Sequence, residues 1–221
     1  NNIDYGIYSS GQNCNSYYNT FTGFYNYGIA ESVVLGFNNC NINNCEYGIY
    51  ASSGIVSSGC LFYNIDNTAI YFEGDYLSLD HETIYNSNIG LEINSDGLDT
   101  SNFTNSILFY CHEYGIYSNV NLITKNMIYS KSEGNSRIIC SNCIEADPLF
   151  VSTVEGAENF RIKTIELGYP VLQSPAKEYA IDGKDCGCYD VTYLESDRAT
   201  LELQINATPE SFSFSDNKTD F

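Results

Sequence analysis

The sequence predicts an all-β fold, a right-handed parallel β-helix solenoid with coils of about 21 residues, three strands per coil and a C-terminal cap. Three observations predict it. First, a short phrase returns six times: Tyr5-Gly6-Ile7-Tyr8, Tyr27-Gly28-Ile29-Ala30, Tyr47-Gly48-Ile49-Tyr50, Thr68-Ala69-Ile70-Tyr71, Ile89-Gly90-Leu91-Glu92 and Tyr114-Gly115-Ile116-Tyr117. Its small residues stand 22, 20, 21, 21 and 25 positions apart. Second, the periodic apolar residues are Ile, Val, Tyr and Phe, which suit pleated strands, and not the several fixed Leu of a leucine-rich repeat. Third, no window sustains apolar spacing at 3, 4 and 7 residues, so helix is nearly absent.

Within a coil the runs follow in order. One coil carries Cys40-Asn41-Ile42, then Tyr47-Gly48-Ile49-Tyr50, then Gly54-Ile55-Val56. The next carries Cys60-Leu61-Phe62-Tyr63, then Thr68-Ala69-Ile70-Tyr71-Phe72, then Tyr76-Leu77-Ser78-Leu79. Asn, Asp, Ser and Gly separate the runs, the residues that accept left-handed backbone and bond their own main chain at turns. Right-handed winding is the usual hand of parallel connections. Coils stack about 4.8 Å apart, so equivalent positions form ladders. Asn44, Asn64 and Asn86 fall at one corner, where each can bond its counterpart in the next coil. Ile7, Ile29, Ile49, Ile70, Leu91 and Ile116 form the inner aliphatic stack.

The 221 residues suffice for a sizeable core. With 9 Lys+Arg against 28 Asp+Glu, the formal charge is −19, a surface that repels phosphate backbones and anionic lipid headgroups. Nucleic acid is therefore not a partner. No stretch of about twenty apolar residues offers a membrane span. An acidic surface of this kind can collect divalent cations, calcium among them, but no resident cofactor or metal is expected. The chain opens in mid-repeat at Asn1 and stops abruptly after Asp220-Phe221, and reads as a piece of something longer.

Nine cysteines are present. Aligning the coils lays Cys40 over Cys60 on adjacent rungs, within the Cα separation that a disulfide accepts. Cys45 and Cys111 share a corner but lie too many coils apart to pair. Cys140-Ser141-Asn142-Cys143 and Cys186-Gly187-Cys188 could together hold zinc. Because CxC is an uncommon knuckle and no His stands near, disulfides tying the C-terminal cap are the preferred reading. An odd number leaves at least one thiol free or paired to another chain. The cysteines point to a disulfide-forming, extracellular or cell-surface location, with buried thiols as the alternative. Asn102, Asn206 and Asn217 each begin an Asn-x-Ser/Thr sequon and permit glycosylation.

The rhythm fades after Lys131, which divides the chain into coils over 1–145, a capping segment over 146–190, and a linker with the first strands of a following β module over 191–221. The middle segment reads Asp147-Pro148-Leu149-Phe150-Val151, Asn159-Phe160-Arg161-Ile162-Lys163, Ser174-Pro175-Ala176, Ala180-Ile181-Asp182-Gly183 and Cys188-Tyr189-Asp190. In that order it resembles the tail that closes many exported right-handed β-helix proteins of the pectate-lyase-like superfamily. An insertion before Ala180 and the CxC where Asp-Ile-Gly is usual depart from the pattern. Physically, such a tail covers the apolar cross-section and open strand edges at a solenoid's end, with Leu149, Phe150, Phe160 and Ile162 placed for the task.

The resemblance implies polysaccharide lyases or glycoside hydrolases among the relatives, so an active site is sought. A lyase needs a basic residue in the groove, yet Asn1 to Cys143 holds only Lys125, Lys131 and Arg137, all beyond the last clear repeat. A hydrolase needs two carboxylates about 5–9 Å apart. Asp80-His81-Glu82 is the one candidate grouping, against the alternative of a solvated acidic turn; His112 reads as structural. Tyr8, Tyr50, Tyr71 and Tyr117 share one offset. Their facing depends on whether the small residue of the phrase points in, and the stacked aromatic cores of β-helices favour the inside. The expected function is a structural or adhesive extracellular module of a larger surface protein, surface layer or filament, with copies of itself, other surface proteins or glycans as partners. The alternative is a carbohydrate-active enzyme working in the solenoid groove.

Overall fold

A computed structural model describes residues 5–9, 14–17, 20–22, 27–31, 34–97, 100–130, 138–165, 167–169 and 172–188; through residue 35, and at Thr100, it describes the backbone alone. The expected β module over 191–221 therefore lies outside the described residues, as do Asn206 and Asn217. The fold is a parallel β-solenoid without helix among the described residues. Two parallel sheets, of ten and seven strands, stack coil upon coil.

A coil is one long strand bent in the middle, followed by a short one. Leu61–Phe72 and Tyr76–Asp80 form one, Thr83–Ile93 and Thr100–Thr104 the next, Ile107–Ser118 and Leu122–Lys125 the one after. In an earlier coil the long strand is still divided, and both Asn41–Cys45 and Tyr47–Ala51 pair with Leu61–Phe72. The three runs read from the sequence are thus present, two of them fused through a corner. At that corner Asn44, Asn64 and Asn86 take left-handed φ of 52–54°, a conformation that Asn tolerates better than most residues. Asn86 Nδ2 donates to Asn64 Oδ1 at 2.8 Å, the ladder bond expected of this position. A second left-handed row, Asn39, Gly59, His81, Asn105, Asn126 and Asn142, turns the short strand back into the long one.

The repeated phrase lies in register along the stack, Ile7↔Ile29↔Ile49↔Ile70↔Leu91↔Ile116. From Ile49 onward these side chains are buried. The tyrosines correct the expected facing. A Cβ on Gly48 would lie 3.2 Å from the buried Phe62 ring, so the small residue points inward, the bend absorbs the phase, and Tyr50, Tyr71 and Tyr117 point out. Tyr117 is 39% exposed, and the Tyr50 and Tyr71 rings stack at 5.5 Å.

Segment 146–188 also differs from its expected placement. Phe150, Phe160 and Ile162 are buried as anticipated, but against Leu61, Ile107, Ile128, Tyr63, Tyr85 and Phe109, which lie on the outer face of the long strands. The hairpin Phe150–Ser152 and Asn159–Ile162 is a plate along the solenoid's flank. The physical reason is in the coils, whose outward positions after the corner are apolar or aromatic and need a cover. The chain then returns to the second corner row, where Asn side chains and carbonyls receive it. Asn105 Oδ1 accepts from Ile181 N at 2.8 Å, Asn126 Nδ2 donates to the Tyr179 carbonyl at 2.6 Å, and the Tyr179 hydroxyl donates to the Asn142 carbonyl at 3.0 Å.

Candidate functional site

The Asp80-His81-Glu82 corner is where the coils and the flank segment meet. Asp80 ends a strand facing outward, His81 takes the left-handed turn at φ 53°, and Glu82 turns inward into a row that Cys40, Cys60, Ser106 and Met127 occupy in other coils. Asp80 Oδ1 accepts from Thr104 Oγ1 at 2.8 Å and Asn105 Nδ2 at 2.7 Å, while its Oδ2 lies 3.0 Å from His81 Nδ1. Partial burial opposes ionisation of Asp80, but His81, Thr104 and Asn105 outweigh it and hold the carboxyl below its ordinary range. The other imidazole nitrogen, Nε2, sits 3.6 Å from Asp182 Oδ1 of the flank segment.

Glu82 is wholly buried. Its Oε2 accepts from the Cys60 amide at 2.9 Å, and its Oε1 has no hydrogen-bond partner among the described residues. Burial pushes its carboxyl up to about 8, with the Ser57 hydroxyl and the Cys60 amide offsetting only part of the effect. The two carboxylates therefore stand on opposite sides of the wall. One is ionised and saturated with donors, the other protonated near neutrality and sealed from solvent. A glycosidic bond cannot lie between them, since hydrolysis needs both carboxyls flanking one substrate. At this corner the coils meet the flank segment, His81 Nε2 lying 3.6 Å from Asp182 Oδ1 and Asn105 Oδ1 accepting from Ile181 N.

The cysteines are distributed differently from expectation. Cys140 and Cys143 are bonded to each other, so they do not tie the flank segment and cannot join a four-thiolate zinc site. Cys40 and Cys60 do occupy adjacent rungs, with the Cys40 amide 3.4 Å from Cys60 Sγ, but both are thiols. Each donates to its own chain, Cys40 Sγ to the Asn38 carbonyl at 3.5 Å and Cys60 Sγ to that of Ser58 at 3.8 Å. Cys186 and Cys188 are thiols as well, and Cys186 Sγ donates to the Asn126 carbonyl at 3.3 Å. Burial pushes each of these two up to about 12. Between them Gly187 (φ 94°) brings its backbone so close to the coils that a Cβ would lie 2.7 Å from Thr83 Oγ1 and 2.8 Å from Ile107 Cδ1. Gly187→Ala is expected to cost at least about 1 kcal/mol and to loosen this docking. The measurement is thiol labelling at pH 8: neither Cys186 nor Cys188 reacts in the folded parent, and both react in the variant.

Asn102, the one sequon asparagine among the described residues, is exposed on the outer face of the short strand Thr100–Thr104. The more informative outer surface lies on the long strands. Glu73 accepts from the hydroxyls of both stacked tyrosines, Tyr50 at 2.6 Å and Tyr71 at 3.1 Å, which fixes the pair as a flat aromatic step. Nearby, Glu92 accepts from Thr68 Oγ1 at 3.1 Å, and burial pushes its carboxyl up. Around the corner, a cleft of about 490 Å³ opens between the asparagine row and the tip of the flank hairpin. Asn64, Asn86, Tyr85 and Tyr110 form its coil side, and Glu155 and Glu158 its hairpin side. Sequence reasoning missed this cleft because half of it comes from a segment expected to sit at the solenoid's end.

No protein-family model, curated protein or solved structure matches this chain.

Proposed function

We propose that this chain is a structural or adhesive β-helix module of a larger extracellular or cell-surface protein, assembling with copies of itself or other surface proteins and presenting its outer faces to glycans. The observation that carries this reading is the fate of the one candidate acid pair. Asp80 is spent on hydrogen bonds outside the wall and Glu82 is buried within it. The outward tyrosine step supports an adhesive face, since exposed planar aromatics serve recognition. The Cys140–Cys143 disulfide supports an oxidising location. Membership of the pectate-lyase-like superfamily belongs to the same proposal. The tail residues that carry the resemblance also knit the flank segment, Ser174 Oγ donating to the Pro148 carbonyl at 2.6 Å and accepting from Ala176 N at 3.0 Å.

The test sets the full chain against a panel of acidic and neutral polysaccharides and follows both new chain ends and the protein's own mass in solution. The expected result is no cleavage, no change on Asp80→Asn, and self-association or retention on a polysaccharide. Release of unsaturated or reducing ends, lost on Asp80→Asn, would overturn the proposal in favour of a groove-acting lyase or hydrolase.

A further inference from the structure

The corner row Asn44, Asn64, Asn86 ends in a residue of another kind. Tyr110 holds the same left-handed backbone, φ 64° against 52–54° for the asparagines. A bulky aromatic pays for that conformation in strain, and left-handed non-glycine outliers of this type cluster at functional positions. Folding does not require the ring, which is 56% exposed. It is held in place all the same: His112 meets it edge-on at 5.6 Å, and Tyr85 and Phe109 lie at 6.1 and 6.0 Å. His112 is itself fixed, its Nε2 3.0 Å from Asn86 Oδ1. An exposed, braced aromatic at a strained corner thus forms one wall of the 490 Å³ cleft.

The opposite wall and floor decide what the cleft can hold. Asp66, Glu155 and Glu158 line it, and among the described residues no Lys or Arg does, so phosphate, sulfate and uronate groups are repelled. Among the described residues no three His, Cys, Asp or Glu side chains are grouped to hold a metal ion, which disfavours a dedicated cation site here. What remains favourable is an uncharged, hydroxyl-rich ring. Its C–H face packs on Tyr110, its hydroxyls donate to the carboxylates, and the Nδ2 groups of Asn64 and Asn86 supply N–H donors, their Oδ1 atoms being engaged by Asn86 and His112. We propose that the Tyr110 cleft binds a neutral hexopyranose unit of a glycan. The inference rests on the adhesive reading and names the ligand class of one face.

Tyr110→Asn is an unusually clean probe, because it restores the residue that the three preceding coils use at this corner. The full chain and this variant are titrated with neutral gluco-, manno- and galacto-hexaoses, with hexagalacturonate and with hexalysine, by calorimetry and by saturation-transfer NMR. At least one neutral hexaose is expected to bind the parent, with hexagalacturonate and hexalysine weaker. Tyr110→Asn should weaken that binding roughly tenfold or more while its Tm stays level or rises. Three results would overturn the site: no neutral hexaose binds, hexalysine binds best, or a neutral hexaose binds equally to the variant. Where Tyr110→Asn loses its fold, Tyr110→Phe, which keeps the ring, serves as the second test, and loss of binding there without loss of fold would also overturn the site. Self-association and absence of cleavage are unaffected by any of these outcomes, so failure of the site and failure of the adhesive reading are distinguishable.

Discussion

Stability is expected to fall as pH rises from about 4.5 to about 8, and Glu82→Gln to remove most of that slope. The Glu82 carboxyl titrates near 4.5 when unfolded and near 8 when buried in the wall. Between those values the folded chain holds a proton that the unfolded chain releases, so each added pH unit favours unfolding by up to roughly 1.4 kcal/mol. The stabilising contribution is complete below the unfolded value and gone above the folded one. Asp80 and Asp182 act with the opposite sign. Both carboxyls are held below their ordinary 3.8, so the stability they contribute is present above that value and lost as pH falls through their folded range. Together these groups place the stability optimum at about pH 4–5. General repulsion at a formal charge of −19 also disfavours the fold at higher pH, which is why the variant matters more than the slope itself. Denaturant unfolding of parent and Glu82→Gln at pH 4.5, 6 and 8 separates the two. The parent should lose several kcal/mol across the window and the variant much less; parallel curves would show that Glu82 does not hold its proton.

The solenoid was legible in the sequence because its determinants are periodic. A phrase spaced by 20–25 residues can satisfy its backbone and bury its Ile only by stacking, and Asn at fixed offsets marks the corners. Phase was harder to read. Tyr50 and Tyr71 sit one residue past an inward Ile, but the inward Gly before that Ile breaks simple alternation, and only the bent backbone shows that both small residue and Ile face the core. The flank segment was hidden for a related reason. Leu61, Tyr63, Tyr85, Ile107 and Phe109 look like ordinary strand residues, and nothing local to them announces that a hairpin nearly a hundred positions away in sequence from Leu61 covers them. The candidate acids suffered most. Asp80 and Glu82 are two positions apart, which on a straight strand would share a face, yet His81 in the left-handed region sends them to opposite sides.

Gly48→Val should be strongly damaging to the coils, and Tyr50→Ala, two residues on, nearly harmless to folding. A Cβ at Gly48 would overlap the backbone carbonyl of Ala69 on the next coil and press on Phe62 Cδ1 at 3.2 Å. A carbonyl engaged in the parallel ladder cannot swing aside as a side chain does, so the coils must part locally. Overpacking of that kind costs about 3 kcal/mol in a filled core, and in a stack each coil depends on its neighbour for its own burial. Gly90 repeats the situation, its Cβ position 2.5 Å from the Gly115 carbonyl and 3.1 Å from Cys111 Sγ. Tyr50, by contrast, gives up its stacking on Tyr71 and its hydrogen bond to Glu73 at a half-exposed site, contacts worth about 1 kcal/mol. Urea midpoints of the two variants at constant m-value measure the difference. Equal losses would mean that the glycine is in the phrase for some reason other than close approach of the coils. The expected asymmetry assigns the parts of the phrase separate tasks: Gly and Ile build the stack, and the tyrosine decorates its outer face.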